Sequence, residues 1–240
     1  MHITQPGFEI LDPAPFDRNA GLYLYRKIER AARTCYRSED LMTEDSAVKM
    51  VKMLVQRGHE ATLEHADISV RFTVDRGITH ELVRYRHCSF AQESTRYCNY
   101  SKDKFGGEIG YISISNQLDW YKLSPEQIDE IMRIWTEACT DAERHYNEMI
   151  IAGAPPEIAR GALNHSTASS IVVKANLREW RHIFIERAVG KHGRPHPEIQ
   201  KVMRSLLKRF AEYMPEAFGD ILSSDLLNNI KSAFNREAAK

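Results

Sequence analysis

The sequence predicts an α+β fold: a single domain in which an antiparallel or mixed sheet packs with several long helices. Two patterns carry this expectation. Ala66, Ile68, Val70, Phe72 and Val74 alternate with Asp67, Ser69, Arg71, Thr73 and Asp75, the period of a half-buried strand. Elsewhere apolar residues recur at helical spacing, most extensively Ile128, Ile131, Trp135, Ala138, Ala142, Tyr146 and Met149. With 240 residues, 42% hydrophobic and 28% charged, the chain can bury one sizeable core. Residues 1–220 are expected to form that domain, with 221–240 an amphipathic C-terminal tail.

In order along the chain, the proline-bearing stretch 1–18 predicts a short strand or extended arm. From Gly21, apolar Leu22, Tyr25, Ile28, Ala32 and Cys35 predict a helix with Arg30 and Arg33 on another face. A second helix starts at Thr43 or Glu44, carries Ala47, Val51 and Leu54, and stops at Gly58. His59-Glu60-Ala61-Thr62-Leu63-Glu64-His65 then reads as a helix-to-strand corner. Its histidines are six apart, not the four that puts both on one helical face, and no third ligand is evident, so no metal site is expected.

The alternating strand ends at Gly77, and a helix with Ile78, Leu82 and Val83 follows it to Arg84. Residues 102–107 predict a turn and Tyr111–Ile114 a strand. Gly106, Gly107 and Gly110 precede that strand, so they are not a dinucleotide fingerprint. Ser124-Pro125-Glu126-Gln127 is a capping box with proline at the first helical position, opening a helix that runs to Gly153. A short helix from Pro155 bears Arg160, a strand covers 166–173, and Asn176 caps a helix through Trp180 to Arg187. After the loop 190–197, Ile199, Met203, Leu206, Leu207 and Phe210 mark the last core helix.

Lys plus Arg and Asp plus Glu are 33 each, so overall charge calls for neither nucleic acid nor an anionic membrane. Four cysteines form no C-x-x-C pair, which fits reduced thiols and a cytoplasmic protein. No basic-then-apolar leader and no apolar run of bilayer length are seen.

The densest chemical signal is 84–97, Arg-Tyr-Arg-His-Cys-Ser-Phe-Ala-Gln-Glu-Ser-Thr-Arg-Tyr. Arginine forks and hydroxyls in this density suit phosphate oxygens, so a phosphorylated ligand is expected. The compound pattern, Arg-x-Arg, seven residues, a serine, then x-Arg-Tyr, closely resembles the signature of flavin-dependent thymidylate synthases. Arg30-Ala31-Ala32-Arg33, Gly58-His59-Glu60, Glu64-His65, Arg160, Asn176-x-Arg178 and Arg187 look like further landmarks of that family in the right order. The resemblance covers about residues 20–215.

The resemblance implies FAD, with contacts from Arg84, Tyr85, Arg86, Asn176, Arg178, His182 and His59. It implies dUMP as substrate, held by Glu81, Arg84, Gln92, Glu93, Ser94, Thr95, Arg96, Arg160 and Arg187. NADPH would be the reductant and methylenetetrahydrofolate the carbon donor. Arg187 would be catalytic, a fixed cation favouring negative charge on the uracil ring. The family's flavin sites are assembled across the subunits of a homotetramer. No covalent nucleophile is implied: Cys88 reads as a small packed side chain, and Ser94 lacks a glycine-flanked elbow.

Three positions depart from the family pattern: Tyr85 where histidine is usual, Glu81 where glutamine is common, and a longer loop after Arg187 bearing His192 and His196. The alternative reading is a non-catalytic nucleotide- or RNA-binding protein using Arg84, Arg86 and Arg96 as a phosphate clamp, with Phe90 and Tyr97 interleaved. Without the resemblance, Arg160 and Arg187 read equally well as partners of Glu157 and Glu186 in intrahelical salt bridges.

Overall fold

Asp17 starts the first long helix by accepting a hydrogen bond from the N–H of Ala20 at 2.8 Å, which satisfies one donor that a helix start would otherwise leave open. In the computed structural model, which describes residues 1–102 and 107–223, that helix (α1) is Arg18–Thr34, three residues ahead of the predicted start. The N-terminal arm is two strands, β1 (His2–Thr4) and β2 (Gly7–Asp12). There follow α2 (Ser46–Gln56), β3 (Asp67–Asp75), α3 (Arg76–Leu82), β4 (Cys88–Gln92), β5 (Gly110–Ile112), α4 (Ser115–Leu118), α5 (Pro125–Ile151), α6 (Pro156–Ala159), β6 (Ala168–Asn176), α7 (Leu177–Phe184), α8 (Pro197–Tyr213) and α9 (Pro215–Leu222). The class is α+β. A four-stranded sheet has the order β2-β3-β6-β4, and a two-stranded one joins β1 and β5 in parallel, His2 opposite Gly110.

The residues cluster in two compact units. The first comprises Met1–Gly7, Arg71–Arg84 and Phe90–Val172; the second comprises Phe8–Val70, Tyr85–Ser89 and residues from 173 onward. β3 and β6 contribute residues to both. In the first unit, α5 begins with the predicted capping box, Gln127 N–H on Ser124 and Ser124 N–H on Gln127. Cys139, Ala142 and Tyr146 of α5 are buried with Tyr100, Ile109 and Tyr111. Trp135 is half-buried, and its indole N–H donates to Ser166 at 2.9 Å.

In the second unit an aromatic cluster forms the core. Phe184 and Phe210 lie 5.2 Å apart edge to face, Phe210 and Phe218 likewise at 5.2 Å, and Trp180 stacks on Phe184 at 5.8 Å. Trp180 does not leave its polar atom unsatisfied, because its indole N–H donates to the Ile68 carbonyl at 3.0 Å. The predicted tail boundary at 220 falls within α9, whose Ile221 is buried. The remainder of the predicted tail, 224–240, lies outside the described residues.

Three local findings differ from expectation. Asp75, not Gly77, marks the start of α3: its Oδ1 accepts the Ile78 N–H at 2.7 Å, and Gly77 lies inside the helix where a Cβ would come within 3.4 Å of His165 Nδ1. The stretch after Arg86, for which the sequence pattern predicts no element, contains β4. The helix expected to continue to Arg187 changes character, since Ile185–Val189 form a π turn ending on left-handed Gly190.

α1 and the end of α8 meet at a glycine. A Cβ on Gly21 would lie 2.7 Å from the Tyr213 carbonyl oxygen, a backbone atom that cannot swing aside. Gly21→Ala should therefore lower stability by about 1–3 kcal/mol despite the better helix propensity of alanine. A fall in the urea unfolding midpoint at unchanged slope checks this.

Candidate functional site

In the second unit a cavity of about 460 Å³ opens beside the start of α7. Asn176 ends β6 and caps α7, its Oδ1 accepting the Glu179 N–H at 2.8 Å, so its amide nitrogen is left to donate elsewhere. Arg178 and His182, one helical turn apart, are exposed on the same face and line the cavity with Asn176. Three of the predicted cofactor contacts are thus together. Arg178 holds Glu64 at 2.7 Å, a pair that is half exposed and so exchangeable for another anion.

Arg181 of α7 also lines this cavity and anchors the helix beside it. Arg181 is 6% exposed and donates to Glu60 at 2.8 Å, to Asp220 at 2.8 and 2.7 Å, and to the Ala217 carbonyl. Burial alone would lower its pKa; Asp220 and Glu60 more than offset that and raise it. It is therefore a permanent structural cation.

Tyr85 is buried in the same unit. The His182 ring meets it edge to face at 5.7 Å, and the Arg187 guanidinium lies over the ring, 5.7 Å from its centre. Arg86 and His59 are exposed and do not line the cavity, whereas His87 does. His87 sits within the motif, but it carries no landmark that distinguishes it there. Glu186 faces His192, Oε1 to Nδ1 2.6 Å.

In the first unit, two of the predicted substrate contacts line a second cavity of about 380 Å³: Thr95, which is buried, and Arg160, whose Nη1 donates to the Thr95 hydroxyl at 3.3 Å. Glu157, the expected partner of Arg160, instead pairs with Arg96 at 2.7 Å. Arg76, His80, Asn164 and His165 supply the other polar side chains of the wall, beside Gly161 and Leu163, and among the described residues no carboxylate lines it. The Nη1 of Arg76 is buried without a hydrogen-bond partner. His80 and His165 stack at 6.4 Å between ring centres. Sequence reasoning missed these four; the available signal was Arg76 and His80, four apart on the helix that follows the strand.

The other predicted substrate residues of this unit are held differently. Gln92 donates to Thr79 at 3.0 Å and Ser169 at 3.3 Å. Glu93 accepts the Tyr100 hydroxyl at 2.6 Å and borders a separate cavity of about 440 Å³. Ser94 accepts the Arg96 N–H at 3.3 Å. Glu81 is half-buried on α3, and Arg84 is exposed just beyond it. Among the described residues no group of three or more His, Cys, Asp or Glu is placed to hold a metal ion, and no helix is long and apolar enough to cross a membrane.

These features define a class: an α+β protein with an arginine-bearing cavity in each of its two units, that of the second unit lined also by Glu60, Glu64 and Glu179, that of the first by no carboxylate among the described residues. A family model described as thymidylate synthase complementing protein matches residues 25–216, and the chain belongs to that family. Its curated relatives are enzymes named flavin-dependent thymidylate synthase. The one from Mycolicibacterium vanbaalenii is 29% identical over 211 residues, covering 80% of this chain and 78% of the relative. Those from Mycobacterium avium and Mycobacterium tuberculosis are each 28% identical over 213 residues, covering 86% and 83%. A solved structure, the UMP/dUMP methylase PolB from Streptomyces cacaoi bound with 5-Br dUMP, shares the fold with a TM-score of 0.74 at 22% identity, over 91% of this chain and 96% of that one.

The thiol within the motif, Cys88, is not poised to react. Burial, with the charge of Glu179 adding to it, pushes the Cys88 pKa up to about 12. At pH 8 only about one such thiol in 10⁴ is ionised. Iodoacetamide should therefore label exposed Cys35 at least about tenfold faster than Cys88, as read by peptide mass mapping of a time course.

Proposed function

We propose that this protein converts dUMP to dTMP using methylenetetrahydrofolate as carbon donor and NADPH as reductant, with FAD as cofactor and no covalent protein nucleophile. The observation that carries the reading is the cavity of the first unit. Arg76 and Arg160 line it together with no lining carboxylate among the described residues, and one guanidinium nitrogen of Arg76 is buried without a hydrogen-bond partner. A desolvated cation is costly without an anion. A nucleotide phosphate supplies two charges and acceptors for both guanidinium forks.

The second unit supplies donors for FAD, in a cavity that Glu60, Glu64 and Glu179 also line, Glu60 being held by Arg181 and Glu64 by Arg178. Asn176 offers its amide nitrogen, and Arg178 can exchange Glu64 for a diphosphate oxygen without a buried charge being stranded. His182 presents an exposed ring beside Tyr85. When bound and reduced, FAD supplies a hydride equivalent to the pyrimidine. The chain's own work is binding, orientation and electrostatics. Arg160 and Thr95 fix the nucleotide, and Arg187 opposes negative charge that develops on the uracil ring. Arg84, Arg86, His59, Glu81, Gln92, Glu93, Ser94 and Arg96 complete the ligand contacts in this reading, in a cytoplasmic homotetramer that engages neither membrane nor nucleic acid. Family membership and the relatives' names support this over the RNA-binding alternative.

Arg76→Leu and Arg160→Leu should each weaken dUMP binding about tenfold to a hundredfold, the loss expected for one charged hydrogen bond, read by titration of the flavin absorbance. Unchanged affinity in both would place the phosphate elsewhere. Arg187→Ala should give a folded, yellow protein whose tritium release from [5-³H]dUMP, with FAD, NADPH and methylenetetrahydrofolate, falls at least about a hundredfold. Full turnover by that variant would remove Arg187 from the mechanism.

A further inference from the structure

Tyr85 occupies the middle of the Arg-x-Arg signature, where the resemblance leads one to expect histidine and a ligand contact. In the structure its ring is 9% exposed, so little of it is open to any ligand. Its neighbours include Arg187, with the guanidinium carbon 5.7 Å from the ring centre, and His182, edge-on at 5.7 Å with planes 74° apart. Arg187 projects from the π turn Ile185–Val189, a wider turn than that of an α-helix and one frequent at functional sites. The electron-rich face of tyrosine attracts a guanidinium, and burial strengthens the attraction by excluding water. A protonated imidazole at the same place would repel it.

We propose that Tyr85 is a positioning residue that acts through Arg187. Its face sets where the guanidinium lies, and His182 braces the ring against rotation. The signature residue then serves the reaction at one remove, without touching the nucleotide. This inference rests on the catalytic role proposed above for Arg187, but the contact itself can be read separately.

The test is a double-mutant cycle with wild type, Tyr85→Leu, Arg187→Ala and the double variant, each loaded with FAD. Tritium release and dUMP affinity are measured together with the urea unfolding midpoint. Tyr85→Leu should lower kcat on the order of tenfold with little change in dUMP affinity, and should cause no further loss in the Arg187→Ala background. Tyr85→Phe, which keeps the ring face, should restore most of the loss. If Tyr85→Leu does not fold, Tyr85→Met replaces it in the same cycle. Equal effects of the tyrosine change in both backgrounds would overturn the proposal, since Tyr85 would then act independently of Arg187. Should the wild type show no tritium release, the functional reading fails. The unfolding midpoints then decide the contact: coupling between Tyr85 and Arg187 supports it, and additivity overturns it.

Discussion

The buried guanidinium of Arg181 is the constraint on which the second unit depends. Arginine offers five N–H donors in a fixed fork, and four hydrogen bonds, to Glu60, Ala217 and twice to Asp220, are made from this one. Desolvating it without those partners would cost several kcal/mol. The requirement ties three segments together: the 3₁₀ corner Glu60–His65, the middle of α7, and α9. Trp180, the preceding residue, is locked by Ile68 and the aromatic cluster. With 180 and 181 immobilised, the directions in which residues 178 and 182 project follow from helix geometry.

The arginines therefore divide by what neutralises them. Arg181 and Arg33 are buried against carboxylates of their own unit and belong to the architecture. Arg178 and Arg96 hold exposed carboxylates, contacts worth about 0–1 kcal/mol that a ligand can replace at little cost. Among the described residues Arg160 donates to the neutral hydroxyl of Thr95 and Arg76 keeps a buried donor open, and no carboxylate lines their cavity, so these two carry positive charge that an anion would balance. A chain with equal numbers of basic and acidic residues can thus present strongly polarised sites, because the balance is struck locally and unevenly.

Much of the fold was legible because local chemistry and long-range packing agree. Strict alternation over 66–75 gave β3 within a residue, and the capping box at Ser124 gave the start of α5. Asn176 was legible as a cap and, through the resemblance, as a ligand residue; the structure shows that both uses are compatible because they draw on different atoms. What sequence could not give was partner choice. Glu157 stands nearer to Arg160 in the chain yet pairs with Arg96, 61 residues away. His165 precedes β6 and stacks on His80 of α3, an approach that no spacing announces. β4 was hidden because its five residues sit among arginines and lack a run of β-branched side chains.

The wide turn at Ile185–Val189 bears on how relatives of this chain are lined up. A π turn accommodates one residue more than an α turn of the same span, so it behaves as an insertion absorbed within a helix instead of one looped out at its end. Counting at 3.6 residues per turn from Trp180 carries the wrong phase past this point, and a gapless comparison with a relative lacking the extra residue would pair Arg187 with its neighbour. Equivalence across the turn is better judged by matching left-handed Gly190, a fixed landmark on its far side, than by helical periodicity.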